Sequence, residues 1–218
     1  MLFRSRNVIV KSNGRTILNI PHAIIPANQI TACIGPNGAG KTTFLKLLDG
    51  LIQPDTGTVK YSFANKTALV LHHTPMIKAS ARTNISLVKD VDSQITVDDV
   101  DRVIDRIGLK GLANSPAHKL SAGERQKLCL GRAILQKPNL VLLDEPTANL
   151  DPSATEQVEN MIREFNQHQC DVIFSSHQLA QVQRLAQYII FIDQGEIKER
   201  SEEHTSELQS RETISYAV

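Results

Sequence analysis

A glycine-rich stretch between residues 35 and 42 has the residue types and spacing that bind phosphate groups. It reads Gly-Pro-Asn-Gly-Ala-Gly-Lys-Thr and fits the pattern GxxxxGK[ST], between the apolar run 30–34 and the helix-forming run 44–48. Glycines let the backbone curl until its amides point at phosphate oxygens, and the following helix adds the positive end of its dipole. We expect Lys41 to reach the β- and γ-phosphates of a nucleotide, Thr42 to ligate Mg²⁺ and Thr43 to contact the α-phosphate. The rest of the cradle is Gly35, Pro36, Asn37, Gly38, Ala39 and Gly40.

Two adjacent carboxylates follow a second apolar run farther along the chain. Residues 139–143, Asn-Leu-Val-Leu-Leu, lead directly into Asp144 and Glu145, and two such charges beside a buried strand are costly unless they are used. We expect Asp144 to hold Mg²⁺, chiefly through its water shell, and Glu145 to polarise the attacking water as a general base. His177 ends a third apolar run, Val-Ile-Phe-Ser-Ser-His. Together with the other groups, it is predicted to touch the γ-phosphate.

The length of the chain predicts that the strands and helices positioning these residues belong to one globular domain. The chain has 218 residues, of which 41% are hydrophobic and 22% charged, which is ordinary for such a domain. Its net charge of +1 gives no reason to expect nucleic acid as a partner. Three cysteines without CxxC spacing predict neither a disulfide framework nor a zinc site. No apolar run has the length of a membrane span, and the N-terminus lacks a signal-peptide core.

Residues 200–218 differ in character from the rest of the chain, because they are polar and show no periodicity. The run 200–210, Arg-Ser-Glu-Glu-His-Thr-Ser-Glu-Leu-Gln-Ser, equals a one-frame translation of a common sequencing adapter, and 214–218 continue it in the same frame. We therefore interpret residues 1–199 as the domain and 200–218 as adapter translation rather than native protein. A disordered natural tail is the alternative.

A third motif carries a resemblance to a known family. Residues 120–126, Leu-Ser-Ala-Gly-Glu-Arg-Gln, open a helical pattern in which Ser121 has the position of an N-cap. They precede Leu-Val-Leu-Leu-Asp-Glu-Pro-Thr-Ala-Asn-Leu-Asp at 140–151. From about residue 5 to 199, the chain resembles the nucleotide-binding subunit of an ABC transporter. The resemblance implies an α/β P-loop NTPase cassette with a mostly parallel core sheet, an N-terminal antiparallel β subdomain and a helical subdomain at about 73–120.

The resemblance also implies how ATP and Mg²⁺ are used. Two copies of the chain are expected to close head to tail around two ATP molecules. Each phosphate-binding loop then faces Ser121 and Gly123 of the other copy, whose hydroxyl and amide meet the γ-phosphate, and Asp151 links the two sites. ATP binding closes this dimer, and hydrolysis with phosphate release reopens it.

Two positions depart from the family's pattern. The aromatic residue that usually stacks on adenine is missing, because the matching place falls near Ser12, and losing one such stack costs roughly 1–3 kcal/mol. His72 occupies the place of a glutamine that normally touches the Mg²⁺ shell and the attacking water. Since a neutral imidazole can donate or accept one hydrogen bond, His72 is kept among the catalytic residues. A slowed or pH-sensitive ATPase is the alternative.

Residues outside the catalytic motifs indicate what the chain serves. The segment 72–87, His-His-Thr-Pro-Met-Ile-Lys-Ala-Ser-Ala-Arg-Thr-Asn-Ile-Ser-Leu, resembles the corresponding part of tungstate and related oxyanion importers. A helix is predicted at 97–107, with Val100, Val103, Ile104 and Ile107 on one face.

We therefore expect an importer ATPase on the cytoplasmic face of a bacterial or archaeal membrane, peripheral to it. Its partners would be an integral membrane permease and an extracytoplasmic substrate-binding protein. Two alternatives remain: a nucleotide-binding protein that hydrolyses weakly and regulates a partner, and a non-transport ABC ATPase acting on ribosomes or DNA.

Overall fold

A computed structural model describes the chain over residues 2–61, 66–90 and 92–201. Of the tail interpreted as adapter translation, Arg200 and Ser201 fall within this range, at the end of a β-strand. Residues 202–218 lie outside the described residues.

An antiparallel sheet of three strands covers one side of the molecule, in the order β2-β1-β4. Its strands are β1 (Phe3–Ser12), β2 (Arg15–Ile25) and β4 (Thr56–Tyr61). Asn13 and Gly14 join β1 to β2 with positive φ values of 49° and 76°, which suit a tight two-residue hairpin. The third strand comes from beyond the phosphate-binding loop, so this sheet is not formed by the N-terminal residues alone.

The central sheet has six strands in the order β5-β6-β7-β3-β8-β9. Five of them run parallel, and β9 pairs antiparallel with β8 at one edge. The near-continuous burial of the inner strands is the pattern of a sheet covered on both faces. The predicted α/β fold with a mostly parallel core sheet is confirmed. The strands are β3 (Ile30–Ile34), β5 (Thr67–Val70), β6 (Leu140–Asp144), β7 (Asp171–Ser176), β8 (Tyr188–Asp193) and β9 (Glu196–Ser201).

Helices cover both faces of this sheet. The first packs with the antiparallel sheet on one face, and side chains of the fourth, fifth and sixth belong to the core cluster on the other. The helices are α1 (Lys41–Asp49), α2 (Ala81–Ser86), α3 (Val97–Arg106), α4 (Ala122–Gln136), α5 (Pro152–Gln167) and α6 (Leu179–Leu185).

A third apolar cluster joins α2, α3 and one side of α4. Helix α3 ends one residue before the predicted position, and its four predicted apolar residues are all buried in this cluster. Thr96 and Asp99 close a capping box that fixes where α3 begins. Among the described residues, no helix combines the length and the apolarity needed to cross a bilayer.

The strand order brings the predicted site residues together. His72 follows β5, Glu145 follows β6, His177 follows β7 and the phosphate-binding loop follows β3. These four strands are consecutive neighbours in the parallel part of the sheet. Because the carboxyl ends of parallel strands lie at the same edge, all four segments meet in the crevice outside that edge, where α/β proteins bind ligands.

Candidate functional site

The phosphate-binding loop is a tight turn that only glycine fits at two positions. Gly35 has φ of 149°, and a Cβ there would lie 1.9 Å from the carbonyl oxygen of Ile192. Gly40 has φ of 107°, and its Cβ would lie 2.8 Å from the Cδ2 of Leu18. The loop therefore packs closely against Ile192 on one side and against residues 17 and 18 on the other, with no room for a side chain at either glycine.

Helix α1 begins immediately after this loop, and its first amides have no side-chain cap from Gly40. Such a helix N-terminus is suited to an anion. Lys41 is the first residue of α1 and is almost fully buried. Its Nζ donates to the carbonyl oxygens of Gly35 at 2.8 Å and Pro36 at 3.0 Å. The ammonium group thus lies folded over the loop, next to the amides that a phosphate would contact.

Asp144 and Thr42 form the other half of the site. Asp144 is buried, and its Oδ2 accepts a hydrogen bond of 2.8 Å from Thr42 Oγ1. Its Oδ1 accepts one of 2.7 Å from Ser175 Oγ, so the buried carboxylate is well hydrogen-bonded. Both groups are hard oxygen donors, which suit Mg²⁺. In the described ranges, no group of three or more His, Cys, Asp or Glu could hold a metal ion.

Ser175 is a site residue that the sequence reading did not single out. It lies beside Asp144 in the register of β6 and β7, and its hydroxyl also accepts from the backbone amide of Glu145 at 2.9 Å. One serine thus orients the predicted metal ligand and the residue after it. The pair of serines ending the run before His177 was the signal available in the sequence.

Glu145 and His177 lie side by side at the crevice. Glu145 has φ of 49°, which turns the chain sharply after β6. Its Oε1 lies 3.4 Å from the Nδ1 of His177, and both side chains are partly open to solvent. The carboxylate and the imidazole are close enough for both to contact one water molecule or one phosphate oxygen in the crevice.

His72 lines a cavity of about 370 Å³ together with Glu145. The other walls come from residues 73–76, from 148–150 after β6 and from α4, which contributes Arg125 and Gln126. The rings of His72 and His73 meet edge-on with centroids 4.3 Å apart. The structure therefore brings the predicted catalytic residues His72 and Glu145 to one cavity, from two different strand ends.

Ser121, Gly123 and Asp151 lie at helix starts near this cavity. Ser121 caps α4 through a box with Glu124, in which each backbone amide donates to the other side chain. Asp151 caps α5 by accepting from the amide of Ala154 at 2.9 Å. Gly123 is buried, and a Cβ there would lie 2.6 Å from the Cβ of Ala154. Ser121 itself is exposed, so it is free to meet another molecule.

Two buried cysteines lie close to the site, and one of them, Cys129, lines the cavity with His72. Burial raises the pKa of the Cys33 thiol to about 12, although Lys41 opposes the shift. Burial also raises the pKa of Cys129, against the nearby charge of Arg132. Both thiols therefore stay protonated at neutral pH and are poor nucleophiles and metal ligands.

Comparison with known protein families decides which class of phosphate-binding protein this is. The family model for the ABC transporter matches residues 18–148, a stretch that includes the phosphate-binding loop, His72, Ser121 and the Asp144–Glu145 pair. The chain belongs to the ABC transporter family. It is an ATP-hydrolysing cassette of the ABC type, as its motifs predict.

Two relatives align with this ABC cassette over most of its length. The tungstate uptake system ATP-binding protein TupC of Peptoclostridium acidaminophilum is 33% identical over 85% of this chain and 92% of its own. The lantibiotic transport ATP-binding protein SrtF of Streptococcus pyogenes is 32% identical over 86% of this chain and 85% of its own. The two relatives differ in what they transport, so the family assignment leaves the substrate open.

A solved structure shares the fold of this ABC cassette. The dimeric post-hydrolysis state of the ATP-binding cassette MJ0796, bound to ADP and phosphate, superposes with a TM-score of 0.81 over 92% of this chain and 98% of that one. The two sequences are 21% identical, so the likeness establishes the architecture alone.

Ser12, near which the adenine-stacking residue is expected, ends β1, is exposed and pairs with Arg15 across the β1–β2 hairpin.

Proposed function

We propose that this ABC cassette binds and hydrolyses ATP to energise an importer through a separate membrane permease, and that tungstate or a related oxyanion is the transported substrate. The observation that carries the proposal is the meeting of four segments at one sheet edge: the phosphate-binding loop, Asp144–Glu145, His177 and His72. The likeness to a tungstate uptake subunit over nearly the whole of both chains supports the oxyanion.

The chemistry follows from where the side chains lie. The amides of residues 35–40 and the Lys41 ammonium would hold the β- and γ-phosphates, with the Thr43 side chain toward the α-phosphate. Thr42 and Asp144 would hold Mg²⁺, which supplies charge neutralisation on the phosphates when bound. Glu145 would take a proton from the attacking water, while His177 contacts Glu145 and would reach the γ-phosphate. His72, in the same cavity as Glu145, would hydrogen-bond that water.

A second copy of the chain would complete each ATP site. Ser121 is exposed at the start of α4, where a hydroxyl and free helix amides can meet a γ-phosphate from outside. Gly123 would present its amide in the same turn, and Asp151 would connect the two sites at the start of α5. The dimeric state of the structurally similar cassette supports this arrangement.

The other partners follow from the importer proposal. A permease would span the membrane, a substrate-binding protein would deliver the oxyanion from outside, and this cassette would sit at the cytoplasmic face. One specific observation favours a second function. Because His72 stands in the place of a glutamine, a cassette that binds ATP, hydrolyses it slowly and regulates a partner is the competing proposal.

Reconstitution tests both proposals. The full chain is combined in lipid vesicles with the permease and binding protein encoded beside its gene, and phosphate release is measured with tungstate, molybdate or phosphate outside. We expect stimulation by tungstate and complete loss of turnover with EDTA. Stimulation by none of the three, with basal turnover intact, contradicts the oxyanion importer. Negligible turnover that a His72→Gln variant restores would instead favour the regulatory protein.

A further inference from the structure

A buried asparagine organises the loop that follows the two histidines. Asn84 lies in α2 with no exposed surface. Its Nδ2 donates to the carbonyl oxygens of Ile77 at 3.2 Å, Ala79 at 3.4 Å and Ser80 at 3.0 Å. Its Oδ1 accepts from the amide of Ile77 at 3.0 Å. Residues 77–79 are not part of a strand or helix, so a single side chain takes over hydrogen bonds that regular structure would otherwise provide.

Arg132 of α4 joins this asparagine and extends the contact back along the loop. Its Nε donates to the backbone carbonyl of Asn84 at 2.8 Å, and its Nη2 donates to Asn84 Oδ1 at 2.6 Å. Its Nη1 reaches the carbonyl of Pro75 at 3.4 Å, and Nη2 lies 3.6 Å from the sulfur of Met76. A planar guanidinium with several fixed donors can make these contacts at once, which an ammonium cannot.

The loop therefore has one end fixed and one end at the cavity. Residues 75–80, here called the tethered loop, are held to α2 and α4 by Asn84 and Arg132. His72 and His73 lie at the other end and line the cavity that contains Glu145. Only His73 and Thr74 separate His72 from Pro75, the first residue of the tethered loop, so a shift of this loop is passed to the imidazole over a short length of chain.

Helix α4, which carries Arg132, also reaches the cavity directly. Cys129 lies one turn before Arg132, and Arg125 and Gln126 lie two turns before it. All three line the cavity with His72. Arg132 is thus connected to the surroundings of His72 in two ways, through the tethered loop and along α4. His72 lies two residues after the end of β5, so a shift of α4 relative to the central sheet would act on His72 through the tethered loop while β5 holds the preceding residues in place.

We propose that Arg132 and Asn84 are positioning residues for ATP hydrolysis, which set the place of His72 relative to Glu145 by holding the tethered loop to α4. This inference rests on the catalytic roles proposed above for His72 and Glu145. A purely structural role would lower the stability of the helical region without depending on His72. The two possibilities differ in what happens once His72 is removed.

A double-mutant cycle measures that dependence. The ATPase kcat and KM are determined for the full chain, for Arg132→Met, for His72→Ala and for the chain with both substitutions. We expect Arg132→Met to lower kcat by about tenfold or more with KM for ATP little changed, because a small misplacement of a catalytic group is costly. In the His72→Ala background the same substitution should cost less than about twofold, since the group that it positions is gone.

Two further variants test whether the loss of kcat in Arg132→Met comes from a displaced His72, from the missing charge or from impaired folding. Arg106→Met is the matched control, because Arg106 also joins two elements, through Glu164 at 2.9 Å, but this ion pair connects α3 to α5 and not to the tethered loop. Its kcat should stay near that of the unchanged chain. Arg132→Lys keeps the charge but has one donor nitrogen in place of three. Its kcat should fall between those of the unchanged chain and Arg132→Met.

Hydrogen exchange provides a readout that needs no turnover. The Ile77 amide donates to Asn84, which Arg132 holds, so Arg132→Met should speed its exchange by about tenfold while α5 amides keep their rates. Unchanged exchange at Ile77, or losses in kcat that multiply in the double variant, would overturn the inference. A His72→Ala variant with unchanged kcat would show separately that the proposed role of His72 is wrong, and the inference would fall with it.

Discussion

At the scale of single residues, the sharpest test falls on Glu145. Its carboxylate is partly open to solvent and lies 3.4 Å from His177, so it can accept a proton from a water above the phosphate-binding loop. Replacing it with glutamine keeps the shape and removes the base. We expect Glu145→Gln to lower kcat by about 10²- to 10⁴-fold with ATP affinity retained. Turnover is measured by phosphate release and affinity by titration with a fluorescent ATP analogue.

The control for this variant is Glu156→Gln, at an exposed glutamate of α5 that does not line the His72 cavity. This substitution should leave both kcat and the affinity for ATP unchanged. A Glu145→Gln cassette that keeps a tenth or more of the original turnover would show that another group is the base.

Cys33 gives a second prediction at this scale. Burial raises its pKa from 9.0 to about 12, so the folded state keeps a proton that the unfolded chain gives up. The contribution of the Cys33 thiol to the free energy of unfolding is fully present below pH 9 and is lost as the pH rises from about 9 to about 12. Cys33→Ala removes this titration. Urea unfolding from pH 7 to 10.5 should therefore show a smaller alkaline loss of unfolding free energy in Cys33→Ala than in the unchanged chain, and equal losses would contradict the assignment.

Residue types reveal which groups belong to the site, but not all of their contacts. Lys41, Thr42 and Asp144 follow from their motifs, and the structure places them together. Ser175 could not be found in this way, because serine is common at strand ends and its partner Asp144 is 31 residues away. Only the register of β6 against β7 places the two side by side. Sequence periodicity predicts strands, but it does not fix this register.

At the scale of elements, the packing of α4 against α5 limits which residue can stand at position 123, in the first turn of α4. A Cβ at Gly123 would lie 2.6 Å from the Cβ of Ala154, too close for either helix to keep its position. We expect Gly123→Ala to lower the melting temperature by several degrees, since overpacking costs about 1–3 kcal/mol. Adding Ala154→Gly removes the opposing methyl group and should restore the melting temperature.

The same pair of variants distinguishes the two roles of Gly123. If the glycine is needed only for packing, ATPase activity returns with stability in the double variant. If its amide contacts a γ-phosphate of the partner, the extra methyl group remains in the way and the activity stays low. We expect the second result. Ala154→Gly alone is the control, with a small stability loss at the start of a helix.

The order of the elements was the part of the fold that the sequence left unspecified. Apolar runs predicted the strands that precede Gly35, Asp144 and His177, yet nothing in them indicates that β5, β6, β7 and β3 are neighbours. That order depends on contacts between residues far apart in the chain. It also brings His72 and Glu145 to one cavity, which the proposed role of His72 in hydrolysis requires.

At the scale of the whole molecule, the proposed dimer makes each ATP site a joint product of two chains. A Lys41→Met chain lacks the phosphate-binding lysine, and a Ser121→Arg chain lacks the serine that would meet the other chain's ATP. Each variant alone should be inactive. In a mixed dimer, the intact loop of the Ser121→Arg chain faces the intact Ser121 of the other, so one of the two sites is complete. Random mixing makes half of the dimers mixed, and we expect about a quarter of the original activity to return.

The control is a mixture of either variant with a chain that carries both substitutions, in which no complete site can form. Ser121→Arg also removes the N-cap of α4, which costs about 1 kcal/mol, so the melting temperature of each variant is recorded beside its turnover. Activity that returns only in the first mixture means that Ser121 acts across the interface. If the Ser121→Arg chain alone is folded and keeps its turnover, Ser121 serves only as the cap that its contacts with Glu124 describe, and the proposed head-to-tail site is wrong.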